Sequence, residues 1–177
     1  MISQVTHRAF SLVEVTLALG VTAVSLLAIF GLLATETQTN HTAIEQTASS
    51  DILTAVAADL RATPKTSPVG SATPSPQFKI NVPANPVRST VTATIYFTDG
   101  GVCSSSLDGA TRCDGVAAIP PLRVRYRLTV SFLPNDPGTT PARTATFADL
   151  RMTWPAAADP TNANSGAAEA FVALDRN

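Results

Sequence analysis

This chain carries little charge. Lysine and arginine together number 12 and aspartate and glutamate 13, which is 14% of 177 residues, and the formal net charge is −1. A general nucleic-acid binder carries a basic excess, so this balance argues against nucleic acid as a partner. Histidine is scarcer still: His7 and His41 lie far in sequence from the two cysteines, Cys103 and Cys113, and a structural zinc site lacks its ligands. No Ser–His–Asp or Cys–His arrangement, Gly-rich phosphate loop or paired-histidine metal motif occurs. These absences predict a protein that is not an enzyme and holds no cofactor. Disorder throughout is excluded as well, because 45% of the residues are apolar.

Much of that apolar content is concentrated near the N-terminus. From Val15 to Thr35 no residue is charged. As a helix this stretch spans roughly 30 Å, the thickness of a bilayer core. It is bounded by Glu14 on one side and Glu36 on the other, and a carboxylate at the edge of such a run is costly. One reading makes Glu14 a group at headgroup level in a plain anchor, snorkelling to water. That reading leaves the residues before it unexplained. Met1 to Ala9 holds no acid and ends in His7-Arg8-Ala9, with no further lysine or arginine until Arg61. The small residue precedes the apolar core, the reverse of an ordinary secretory signal. Arg8 on the N-terminal side predicts a single span with the N-terminus in the cytoplasm and the rest beyond the inner membrane.

Arg8-Ala9-Phe10-Ser11-Leu12-Val13-Glu14, followed by Val15-Thr16-Leu17-Ala18-Leu19, resembles the leader and helix start of type IV pilins and type II secretion pseudopilins. The longer run from Ser11 to Gly20, with Ile29-Phe30-Gly31-Leu32-Leu33, also resembles pilin-like proteins of multi-gene cassettes in Verrucomicrobia. The resemblance covers about the first 60 residues and implies the following. A prepilin peptidase cuts between Ala9 and Phe10 and methylates the new amine, leaving Glu14 as the fifth mature residue. The residue before the cut is usually glycine, and here it is Ala9. Glu14 then neutralises the N-terminal amine of a neighbouring subunit during assembly. The implied partners are the peptidase, other pilin or pseudopilin subunits, an inner-membrane assembly platform and membrane lipid. Many members have a proline where this chain has Gly31.

The helical pattern continues past the apolar run. No proline or glycine occurs from Glu36 to Ala62, and Ile44, Ala48, Ile52, Val56 and Leu60 recur every fourth residue beside Leu53. That spacing predicts an amphipathic helix with one stripe laid on a core, stopped by Pro64. His41 reads as a solvated residue on it. After a Pro/Ser/Thr connector the period changes to two. Expected strands are Phe78–Val82, Val91–Phe97, Leu122–Phe132, Thr144–Trp154 and a short Ala170–Leu174. One-sided strands predict an antiparallel sheet with one buried face, and the helix is its natural cover. The expected fold is therefore α+β, a long N-terminal helix packed on an antiparallel sheet, as the resemblance also implies. The expected segments are a leader (1–9), a transmembrane and assembly helix (10–35), its amphipathic continuation (36–62), and a connector with a β head (63–177).

Three smaller features remain. If the head lies outside the cytoplasm, a disulfide from Cys103 to Cys113 is the natural reading, with two reduced cysteines in a loop as the alternative. Arg123, Arg125 and Arg127 are expected on one strand face, as a solvated face or as a basic stripe for subunits or DNA. Asp99, Asp108 and Asp114 suit turns first and a calcium ion second. The expected function is a minor pilin or pseudopilin, a structural subunit of a filament in the periplasm or outside the cell. The alternative is a membrane-anchored adhesion or ligand-binding domain that never polymerises.

Overall fold

The computed structural model describes residues 11–64, 71–84, 87–135, 145–158 and 166–175, without side chains at 33–35, 37 and 38. The chain divides into two compact units, Met1–Ile44 and Glu45–Asn177. Helix α1, Leu12–Arg61, contributes to both.

In the first unit, α1 is preceded by Ser11, whose carbonyl accepts the N–H groups of Glu14 and Val15 at 2.9 and 3.2 Å. Leu12–Leu32 is long and apolar enough to cross a membrane, and none of it is buried. Ile44, expected on the core stripe, belongs to this unit and is 68% exposed. The stripe therefore starts later than its period suggests, because a four-residue repeat does not mark where its packing partner begins.

The second unit is an α+β head. Its strands are β1 (Thr73–Pro74), β2 (Asn81–Val82), β3 (Val91–Phe97), β4 (Cys103–Ser104), β5 (Tyr126–Phe132), β6 (Thr146–Trp154) and β7 (Gly166–Leu174). β1 and β2 form a small antiparallel pair. The others form one antiparallel sheet in the order β4-β3-β5-β6-β7. The register aligns apolar residues in rows across the strands: Ile95, Leu128 and Met152 in one, Ala93, Val130 and Leu150 in the next. These residues, with Phe97, Phe132, Val172 and Leu174, share one core with Ile52, Leu53, Val56 and Leu60 of α1. The period-two pattern of the strands and the four-residue stripe of the helix thus meet in one buried cluster.

Three strand expectations change. Leu122–Arg125 lies outside β5, held instead by Leu122 N–H to the Gly109 carbonyl at 2.9 Å and Arg125 N–H to the Phe97 carbonyl at 2.7 Å. Phe78 and Ile80 are buried but outside the ladder, since Lys79 between them adopts φ 56°, a left-handed conformation that breaks an extended run. β7 is longer than expected and starts at Gly166, where an added Cβ would stand 2.1 Å from Trp154 Cε2.

A buried carboxylate ties α1 to the connector. Asp59, 6% exposed, accepts hydrogen bonds from Ser75 Oγ, from Gln77 N–H at 2.8 Å and from Phe78 N–H at 3.0 Å. Ser75 Oγ in turn accepts the Ile80 N–H at 3.1 Å. A carboxylate with this many donors meets the requirement for a buried charge.

Candidate functional site: an apolar helix with one carboxylate

At 1.5 Å per residue, the segment Leu12–Leu32 is about 32 Å long, matched to a hydrocarbon core of about 30 Å. Its three hydroxyl groups turn inward on the helix. Thr16 Oγ1 donates to the Val13 carbonyl at 2.9 Å, Thr22 Oγ1 to Ala18 at 2.7 Å and Ser25 Oγ to Val21 at 2.8 Å. In lipid a free hydroxyl has no partner, so these bonds leave a surface of hydrocarbon with its polar groups satisfied. Glu14 is the exception. It is the segment's one charged residue, and among the described residues its carboxylate has no hydrogen-bond or ion-pair partner. At 100° per residue Glu14, Ala18, Thr22 and Ser25 fall on one side of α1, so the carboxylate heads a stripe of small and hydroxyl side chains. Such a stripe lets a second helix approach closely. The expected processing pair, Ala9 and Phe10, lies outside the described residues.

The head carries its own polar site where α1 enters it. Glu45 pairs with Arg125 through Oε1 and accepts the Trp154 indole N–H through Oε2 at 3.0 Å, while Arg125 Nε lies 3.3 Å from Asp99 Oδ1. The hydrogen bond to Glu45 raises the Arg125 pKa above its ordinary value, so the guanidinium stays charged. Sequence reasoning missed this site, since its partners stand 80 and 109 residues from Glu45. The expected arginine stripe does not form. Arg125 is committed to carboxylates ahead of β5, and Arg127, the one arginine of the three inside β5, lies over the Tyr96 ring at 5.9 Å.

Cys103 and Cys113 form a disulfide with a Cα–Cα distance of 5.5 Å. The bridge closes the loop that follows edge strand β4. Inside it, Asp108 accepts from Ser106 Oγ at 2.5 Å and from Ala110 N–H at 3.0 Å. Asp114 accepts from Val116 N–H at 3.0 Å and pairs with Arg112 at 3.4 Å. These carboxylates serve turns, and the described residues hold no cluster of side chains able to bind a metal ion. The Ser106 hydroxyl and then the Ala110 N–H lower the Asp108 pKa. A depressed carboxylate contributes stability above its unfolded pKa and loses it as pH falls through the folded value, so the contribution of Asp108 to this loop is lost in acid. Gly109 adopts φ 71°, and an added Cβ would meet the Leu122 carbonyl oxygen at 1.9 Å. A cleft of about 180 Å³ beside the bridge, reaching Gln77 and Arg112, is smaller than the roughly 300 Å³ lower bound of small-molecule sites.

Replacing both cysteines with serine should lower stability by about 2–3 kcal/mol, the loop-closure entropy returned to the unfolded chain. Denaturant titration of the full chain in detergent, with and without reductant, measures this. A loss below ~0.5 kcal/mol would mean that the turns alone order the loop.

Comparison with protein-family models, with curated proteins and with solved structures returns no match.

Proposed function

We propose that this chain is a pilin-like or pseudopilin-like structural subunit, cut by a prepilin peptidase and assembled into a filament through α1. The observation that carries the reading is Glu14: a carboxylate with no partner among the described residues, at the start of a membrane-length apolar segment whose other polar side chains are bonded within it. A charge kept there calls for a cation. The amine that cleavage ahead of Phe10 would create on a neighbouring subunit is such a cation, with an ordinary pKa near ~8. Pairing the two relieves two desolvated charges at once and favours one register of docking.

The head is consistent with this reading. A helix whose later turns enter the core of an antiparallel sheet is the arrangement that the resemblance in the leader implies. The Cys103–Cys113 bridge suits an oxidising compartment, in line with a head carried across the inner membrane.

Intact-mass measurement after expression with a prepilin peptidase tests the proposal. The expected product lacks Met1–Ala9 and carries one methyl group on the Phe10 amine. A chain that keeps its leader beside an active peptidase would leave a non-polymerising anchored domain as the better description.

A further inference from the structure

The two edges of the head sheet are unlike. At one edge β4 has two residues and runs into the disulfide-closed loop. At the other, β7 has nine residues, and among the described residues it pairs with β6 alone. An open edge is a template for another strand, and natural sheets blunt such edges with proline, lysine, bulges or short length. β7 has none of these: its one charged residue is Glu169, and its register with β6 is unbroken from Gly166 to Leu174. Beside it on the outward face, Phe171 (59% exposed) stacks on Phe147 (38% exposed), with ring centroids 5.6 Å apart.

We propose that β7 is a docking edge for a second copy of this chain, which adds its own β7 antiparallel with Phe171 facing Phe171 across a two-fold axis. The strand is self-complementary in that register. On the inward face Leu174 meets Ala168 and Val172 meets Ala170, so each large side chain faces a small one. Ala168 and Ala170 are only partly buried in one copy, and this packing covers them. On the outward face Glu169 meets Ala173, so no charge faces a charge, and each Glu169 keeps its partner Arg151 at 3.3 Å. Centring one residue earlier, on Ala170, would set the two Glu169 carboxylates diagonally adjacent inside the strand, whereas centring on Phe171 leaves Glu169 diagonal to Asp175 of the other copy, just past the strand's end. The Phe147–Phe171 stack would extend into the matching stack of the other copy.

In this register the seven residues 168–174 of each strand pair, spanning about 24 Å at 3.4 Å each, and a sheet about 10 Å thick then buries about 500 Å² in total, below the range of stable specific interfaces. The association is therefore expected to depend on concentration.

Cysteine substitution in the full chain in detergent micelles tests the proposal. In this register position 171 alone of the outward residues faces its own copy. Under mild oxidation Phe171→Cys should give a covalent dimer, while Ala167→Cys and Ala173→Cys give at least about tenfold less. Sedimentation supplies the second arm: Phe171→Lys should weaken self-association at least about tenfold by setting lysine against lysine. Equal crosslinking at all three positions, no dimer from Phe171→Cys, or self-association unchanged by Phe171→Lys would each overturn the proposal. The last result would assign the dimer to another surface, such as the apolar helix. None of these readouts depends on leader cleavage or on Glu14, so the proposal fails or stands apart from the filament reading.

Discussion

Asp59→Ala is expected to destabilise the head by about 3–5 kcal/mol, through the buried donors it leaves without an acceptor. The substitution leaves the buried Ser75 hydroxyl and Phe78 N–H without their acceptor, and the part-buried N–H of Gln77 as well. Each orphaned donor costs about 1–3 kcal/mol, while whole domains are stable by only 5–15 kcal/mol. The variant is therefore expected to be partly unfolded at physiological temperature. Asp59→Asn should lose less, because its amide oxygen can still accept. Denaturant titration followed by Trp154 fluorescence reads the difference. A loss below ~1 kcal/mol for the alanine variant would show that water satisfies these donors and that Asp59 is not what fastens α1 to the connector.

The other large effect concerns assembly. On the proposed reading, Glu14→Ala leaves insertion unchanged, since it removes the only charge from an apolar segment. Recovery of neighbouring subunits by crosslinking should fall by two orders of magnitude or more, matching the loss of one partner of a desolvated ion pair at about 3–5 kcal/mol. Glu14→Gln should behave like alanine if charge is the cause. Crosslinking at the wild-type level in both variants, with membrane retention intact, would remove assembly through Glu14 and leave only an anchor.

The long elements were legible because each repeats a simple period. The alternation through Tyr126–Phe132 and the absence of proline from Glu36 to Ala62 both have direct structural counterparts. The disulfide was legible from two cysteines close in sequence. What stayed hidden depends on contacts that pattern does not encode. Glu45 reads as an ordinary polar residue of a helix until Arg125 and Trp154 are brought to it. Asp59 reads as solvent-facing until the connector folds its N–H groups back over it. The alternation from Leu122 to Arg125 was misleading, because apolar residues at period two describe a side-chain preference and not a partner strand. Ile44 misled for the same reason: period alone does not show which turns of a helix are covered.

One consequence of the core concerns where the polypeptide can be cut. Since α1 supplies Ile52, Leu53, Val56 and Leu60 to the head, the boundary between helix and connector near Pro64 is not a seam. A fragment beginning at the connector would leave the inner sheet face bare, without Asp59. A cut ahead of Glu45 keeps the last turns of α1 and the Glu45–Arg125–Trp154 contacts with the sheet they serve. Limited proteolysis that released the globular part would therefore be expected to trim the apolar helix back toward Ile44 and stop there.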